Sequence, residues 1–80
     1  MMDIDKKNLK AFGETLKKHR KTKSLSQRKL AQRCDVEYSS IPRIEQGLVS
    51  IQLLTVFELA KGLNIHPKEL FNFDFDPENK

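Results

Sequence analysis

Residues 25–47 read LSQRKLAQRCDVEYSSIPRIEQG, and this stretch is the part of the sequence that is most informative about the fold. Apolar residues recur in it at the three- and four-residue spacing of two short helices: Leu30, Ala31 and Cys34, then Ile41 and Ile44. Ser26 is a good N-cap for the first helix, and Gly47 is the left-handed residue expected just past the end of the second. The stretch is therefore predicted to be two helices joined by a turn at residues 35–36.

This pair of helices meets several requirements of a DNA-reading unit at once. Ala31 supplies the small residue that two closely crossing helices need, and Val36 supplies an apolar anchor for the turn. With the isoleucines inward, the second helix keeps Tyr38, Ser39 and Arg43 on its far face. Such an arrangement places one short helix in the DNA major groove.

The rest of the chain extends this unit to five predicted helices, with no segment that reads as a strand. The other helices are predicted from Asp3 or Asp5 to about Thr22, over roughly residues 52–62, and from Pro67 with His66 as its cap. The predicted core adds Leu9, Phe12, Leu16, Leu53, Leu54, Phe57, Leu70 and Phe71, together with Leu59 or Ala60. The fold class is therefore predicted to be all-α and compact.

Length and composition indicate one globular domain over residues 1–80. The chain is 38% hydrophobic and 32% charged, which is ordinary for a folded protein. No apolar run approaches the roughly 20 residues needed to span a membrane. Charges within the first ten residues argue against a secretory signal, so a cytoplasmic protein is expected. Cys34 is the single cysteine, which excludes an internal disulfide and favours a packed thiol.

The net charge of +4 conceals an uneven distribution. Between Thr15 and Cys34 there is no acidic residue but eight basic ones: Lys17, Lys18, Arg20, Lys21, Lys23, Arg28, Lys29 and Arg33. After Lys68 the charge reverses, with Glu69, Asp74, Asp76 and Glu78 against Lys80. A basic block beside a groove-binding motif indicates contact with phosphates. A solvated helix face that keeps the protein soluble explains the charge density equally well.

Residues with catalytic or metal-binding chemistry are scattered. His19 and His66 are far apart and have no metal-ligand spacing, and the three glycines are isolated rather than grouped in a phosphate loop. The sequence therefore predicts neither an enzyme nor a bound metal or cofactor.

Three segments carry a family resemblance: LSQRKLAQRCDV, SSIPRIEQG and LLTVFELAKGLNIHPKELF. They resemble the lambda-repressor/Cro-like helix-turn-helix family, also called the XRE family, over residues 12–71. The specific patterns are S-Q-x-x-L-A, I-x-R-I-E-x-G and, with Val56 in place of its first leucine, L-x-x-L-A-x-x-L. The resemblance implies a five-helix lambda-repressor-like DNA-binding domain with its motif at residues 26–47 and a short acidic-aromatic tail at 72–80.

The resemblance also implies which residues contact double-stranded DNA. Gln27 matches a clamping glutamine, Tyr38, Ser39 and Arg43 match base-reading positions, and Ser40 matches a position near the DNA backbone. The loop from Leu48 to Gln52, including Ser50, matches a phosphate-holding segment. Apart from the resemblance, the basic Lys17 and Lys29 are expected on phosphates, and the basic Arg28 is expected to contact DNA. Arg43 is the best candidate for readout, because a guanidinium pairs bidentately with guanine O6 and N7.

Arg20 and Glu45 match positions that form a partly buried ion pair between the first and third helices. Arg20 is therefore expected to be structural although it lies in the basic block.

Three departures from the family pattern affect detail. Pro42 lies inside the reading helix, where it removes a backbone donor and could kink the helix and re-aim Arg43. Asp35 occupies a turn position where glycine is usual and would have to adopt the left-handed conformation. Ser50-Ile51 replaces a common Pro-Ser, which predicts a looser phosphate loop.

The leading functional hypothesis is a small prokaryotic transcriptional regulator that binds a palindromic operator as a homodimer, because one short helix offers few base contacts. Phe71, Phe73 and Phe75 are the apolar candidates for its dimer interface. Alternatives are a protein-interaction module, such as an antitoxin that grips a protein partner, and non-specific nucleic-acid binding. Stand-alone family members of this size include restriction–modification controllers, Cro-like phage regulators and antitoxins, and the sequence does not choose among them.

Overall fold

A computed structural model describes residues 3–75 and Pro77. Its elements are α1 (Asp3–Thr22), α2 (Gln27–Gln32), α3 (Ser40–Glu45), α4 (Leu53–Leu63) and a 3₁₀ helix (Pro67–Phe71). The described residues contain no strand, which confirms the all-α prediction. The fifth predicted helix is a single 3₁₀ segment rather than an α-helix.

Every element contributes to one core. The fully buried large side chains are Leu16, Leu30, Ile41, Leu59, Leu63 and Leu70. The long α1 packs against α3 and the 3₁₀ helix, and α4 packs against α2 and the 3₁₀ helix. The motif helices α2 and α3 are therefore supported from two sides by α1 and α4.

Local signals mark the start of α2, the end of α3 and the start of the 3₁₀ helix as predicted. The turn predicted at residues 35–36 is longer, however, and spans residues 33–39, since α2 ends at Gln32 and α3 begins at Ser40. The Ser26 hydroxyl accepts a hydrogen bond from the Lys29 N–H at 3.0 Å, and His66 Nδ1 accepts one from the Lys68 N–H at 3.0 Å. Gly47 has φ 72°, and the following Leu48 N–H donates to the Arg43 carbonyl. This is the Schellman ending, in which a left-handed residue lets the chain reverse and satisfies the last carbonyls of α3.

Of the residues predicted to face inward from α4, Leu59 and Ala60 are buried, but the prediction was wrong for the other three. Leu53 and Leu54 are 65% and 70% exposed, and Phe57 is also exposed. The buried face consists of Val56, Leu59, Ala60 and Leu63. Both faces of this helix are apolar, so spacing alone could not distinguish them; packing against α2 and the 3₁₀ helix selects the second.

The aromatic residues at the end of the described chain divide between core and surface. Leu70 is buried, but Phe71 is 52% exposed although its ring lies 5.4 Å from that of Phe12, so its predicted place in the core was wrong. Phe73 is partly buried and packs against the core, whereas Phe75 is exposed. Of the predicted tail, Asp76 and residues 78–80 lie outside the described residues.

Pro42 and Asp35 depart less from ordinary motif geometry than the family pattern suggested. Pro42 is the third residue of α3, where a backbone N–H has no partner within the helix, so the proline costs no helical hydrogen bond. Asp35 does not adopt the left-handed conformation: among the described residues, the non-glycine residues with positive φ are Ser24 and Asn64.

Candidate nucleic-acid interface

The far face of α3 and the turn before it carry the predicted base-reading side chains. Ile41 and Ile44 are buried beneath the helix, while Tyr38, Ser39 and Arg43 are exposed. The inward isoleucines thus determine which side of α3 faces solvent. Three polar side chains capable of hydrogen bonding to base edges are available there.

Arg20 and Glu45 form a buried pair that joins α1 to α3. Arg20 Nε donates to Glu45 Oε2 at 2.6 Å and Nη2 donates to Oε1 at 3.0 Å. A further bond from Nη1 reaches the Leu25 carbonyl at 2.8 Å. The two residues are 7% and 6% exposed. The hydrogen bond to Glu45 raises the pKa of Arg20, against the lowering effect of its burial, so the guanidinium stays charged.

Gln27 extends this pair toward the start of α2. Its Nε2 donates to Glu45 Oε1 at 3.0 Å, so the Glu45 carboxylate accepts from two side chains. The glutamine proposed as a DNA clamp is therefore held in place by the ion pair. Its second amide N–H can donate to a phosphate or a base, and its carbonyl oxygen can accept a hydrogen bond from a base.

The turn between α2 and α3 is attached to α4 by contacts that the sequence did not predict. Arg33 Nε donates to the Gly62 carbonyl at 2.8 Å, and the Asp35 N–H donates to Glu58 Oε1 at 2.8 Å. The bond from Asp35, followed by the bond from Lys61, lowers the pKa of Glu58. These partners lie more than 20 residues apart, so no local spacing could have revealed them.

Cys34 belongs to this scaffold rather than to a reactive site. It is partly buried against the core, and its thiol donates to the Leu30 carbonyl at 3.3 Å. Burial is the largest cause that raises the pKa of Cys34, which keeps the thiol protonated and unreactive.

The loop after α3 offers backbone donors, though not at Leu48. The Leu48 N–H is already bonded to the Arg43 carbonyl at 3.0 Å, so it cannot also serve a phosphate. Residues 49–51 donate no backbone hydrogen bond to another described residue. Ser50 is exposed and lines, with Ser40, a cavity of about 280 Å³ beside the turn.

The predicted phosphate contacts Lys17 and Lys29 are exposed on α1 and α2. Arg28 is exposed as well, and its Cζ lies 4.6 Å from the centroid of the Tyr38 ring. The structure thus brings two of the predicted DNA-contact residues together. Of the basic block, Arg20 and Arg33 are engaged in internal hydrogen bonds, and the lysines carry most of its exposed charge.

Two negative findings concern only residues 3–75 and Pro77. No group of three or more His, Cys, Asp or Glu side chains in this part of the chain could hold a metal ion. None of its helices is long and apolar enough to cross a membrane.

Comparison with known proteins gives consistent matches. A family model described as helix-turn-helix matches residues 16–70. The control protein C.BamHI of Bacillus amyloliquefaciens is 36% identical over 63 residues, which cover 78% of this chain and 78% of that protein. The crystal structure of the restriction–modification controller protein C.AhdI from Aeromonas hydrophila matches with a TM-score of 0.77 at 36% identity, over 79% of this chain and 96% of that one.

Proposed function

This chain belongs to the XRE-type helix-turn-helix family of DNA-binding transcription regulators, and from that premise we propose that it binds a palindromic operator as a homodimer. In this proposal α3 enters the major groove of each half-site, with Arg43 on base edges and Ser39 beside it. Exposed Lys17 and Lys29 contact phosphates, and the backbone of the loop at Ser50 holds another. The observation that carries the proposal is the exposed polar face of α3 above its buried isoleucines.

The need for a dimer follows from the size of the reading surface. A six-residue helix such as α3 reaches only a few base pairs, whereas two half-sites one helical turn apart double the contacts. Dimerisation requires an exposed apolar surface, because burial of such a surface supplies the association free energy. The protein has one, which includes the predicted Phe71 and Phe75 and adds residues of α4 that the sequence did not predict.

We assign the dimer interface to the exposed face of α4 together with the end of the described chain. Its residues are Leu53, Leu54, Phe57, Phe71 and Phe75. Beside it lies an apolar groove of about 360 Å³ lined by Leu9, Phe12, Phe71, Phe73 and Phe75, among others. Clustered large apolar side chains of this kind mark interaction surfaces. Phe73, which packs on the core, is assigned to the fold rather than to direct contact with the partner.

The substitution Leu54→Glu is expected to convert the dimer to a monomer. Leu54 is 70% exposed, so the change leaves the core intact but would bury a charge in the apolar interface. Sedimentation equilibrium should then give the mass of a single chain at concentrations where the wild type is dimeric. Affinity for a two-half-site operator should fall at least about 100-fold, because each monomer binds alone.

Leu48→Glu is the matched control, since Leu48 is a similarly exposed leucine, at 60%, outside this face. It introduces the same charge and should leave the dimer intact. A monomeric wild type, or a Leu54→Glu variant that remains dimeric, would contradict the assignment. A monomeric wild type would favour the protein-interaction alternative for the same face.

Selection of bound duplexes from a random pool tests sequence readout. The wild type is expected to enrich an inverted repeat. Arg43→Ala is expected to erase the preference at one position in each half-site, because a bidentate arginine–guanine contact is worth about 1–3 kcal/mol, or roughly 5- to 140-fold in affinity.

Lys29→Ala serves as the comparison for Arg43→Ala. It should weaken binding to all sequences alike and reduce the log–log salt slope by about 0.9 for each phosphate that the lysine no longer neutralises. Unchanged preference in Arg43→Ala would refute its reading role. Absence of any enriched sequence, with binding that disappears at moderate salt, would instead support non-specific binding.

We further propose that the regulated genes belong to a restriction–modification system. Support comes from the two named relatives, both of them controller proteins, each 36% identical to this chain. The operator obtained by selection should then occur upstream of adjacent endonuclease and methyltransferase genes. Its occurrence only beside unrelated genes would contradict this assignment.

A further inference from the structure

Arg28 and Tyr38 form a contact that connects the DNA-facing ends of the two motif helices. Arg28 is the second residue of α2, and Tyr38 lies in the turn immediately before α3. The guanidinium carbon is 4.6 Å from the ring centroid, and the tyrosine is 44% exposed. No carboxylate among the described residues pairs with Arg28.

This geometry orients the arginine while leaving its donors free. A guanidinium near an aromatic ring is attracted by the negative face of the ring. Because that attraction uses no N–H group, the donors remain available for a fork of hydrogen bonds to another molecule. An exposed arginine without a partner would have to lose side-chain freedom on binding, whereas contact with Tyr38 restricts Arg28 beforehand.

The position of the ring indicates what the donors would meet. The N-terminal residues of a reading helix lie against base edges, and Tyr38 lies two residues before the first residue of α3. With α3 in the groove, a guanidinium held against this ring therefore lies near the base edges. A base with two adjacent acceptors, such as guanine, matches its paired donors.

We propose that Tyr38 is a positioning residue that holds Arg28 for sequence-specific base contact, so that Arg28 supplies specificity as well as charge. The inference rests on the proposed function, because it requires α3 to be in the groove. It adds a second reading arginine to Arg43, supplied by α2 rather than by the reading helix.

A double-mutant cycle on the full chain tests the proposal. Dissociation constants are measured at one salt concentration for the selected operator and for a scrambled duplex of equal length. Tyr38→Leu should weaken operator binding about fivefold, the equivalent of about 1 kcal/mol for an exposed cation–π pair, and scrambled binding less than twofold. Arg28→Ala should weaken operator binding at least as much, and adding Tyr38→Leu to it should cause little further loss.

Two conservative variants distinguish positioning from other roles. Tyr38→Phe keeps the ring and should retain most of the operator affinity. Arg28→Lys keeps the charge but lacks the planar fork, so it should lose operator preference while binding the scrambled duplex like the wild type. Thermal unfolding of each variant checks that the fold is unchanged.

Several outcomes would overturn the inference. Affinity losses that multiply in the double mutant would mean that the two side chains act independently. Equal losses on both duplexes would make Arg28 a phosphate contact, and a loss in Tyr38→Phe as large as in Tyr38→Leu would assign the contact to the hydroxyl. A wild type without sequence preference would overturn the proposed function itself, whereas an additive cycle in a sequence-selective wild type overturns only this inference.

Discussion

Arg20→Ala is expected to lower the free energy of unfolding by about 3–5 kcal/mol, the range found when one partner of a buried ion pair is removed. Glu45, which is 6% exposed in the wild type, would lose its counter-ion, and the Leu25 carbonyl would lose its hydrogen bond from Arg20 Nη1. A domain of this size has only on the order of 5 kcal/mol of stability. The variant should therefore be largely unfolded near physiological temperature.

Chemical denaturation of Arg20→Ala beside Lys21→Ala measures this effect. Lys21 is the next residue, carries the same charge and is exposed, so its removal should change stability by no more than about 0.5 kcal/mol. Equal losses of stability in the two variants would mean that the removal of one positive charge, and not the loss of the buried ion pair, destabilises the domain. The double variant Arg20→Met, Glu45→Leu should recover much of the loss, because it leaves no buried charge unpaired.

Gly13→Ala is expected to destabilise the protein by about 3 kcal/mol, the upper end of the usual cost of overpacking. A β-carbon at this position would lie 2.4 Å from the carbonyl oxygens of both Ile44 and Glu45. These are backbone atoms at the end of α3, so α1 and α3 would have to separate. Alanine favours a helix over glycine by only about 1 kcal/mol, and the clash therefore dominates.

Gly62→Ala provides a comparison within another helix. The added carbon would approach side-chain atoms, 2.9 Å from Leu30 Cδ1 and 3.2 Å from Cys34 Cβ, and these atoms can shift. We expect a smaller loss of stability than in Gly13→Ala, measured by the midpoint of thermal unfolding. A Gly13→Ala variant as stable as the wild type would show that α1 and α3 are not held as closely as the structure indicates.

Both Arg20→Ala and Gly13→Ala should also affect DNA binding, because they act on the support of α3. Glu45 is the last residue of that helix and accepts hydrogen bonds from Arg20 and Gln27. Movement of α1 relative to α3 would disturb this cluster and displace Arg43. Stability and operator affinity are therefore expected to fall together in Gly13→Ala, whereas Arg43→Ala should affect operator affinity alone.

The local features of the fold could be predicted because they depend on residues a few positions apart. Ser26 caps α2, Gly47 ends α3, and Ile41 and Ile44 face inward from a three-residue spacing. The same reasoning could not determine the cost of Pro42, since that cost depends on where α3 begins. With α3 starting at Ser40, the proline occupies a position that needs no helical donor.

The helical class, the start of α2, the end of α3 and the exposed face of α3 could be predicted from the amino-acid sequence, because each follows from spacing and capping within about one turn. The packing of α4 against the other helices selects which of its apolar faces is buried, and Leu53, Leu54 and Phe57 remain exposed. The tertiary structure also decides the contacts of Arg33 with Gly62 and of Arg28 with Tyr38. These contacts depend on how helices that are distant in sequence pack together. Local spacing cannot predict them, because an arginine side chain or an apolar helix face could pair with several different parts of the chain.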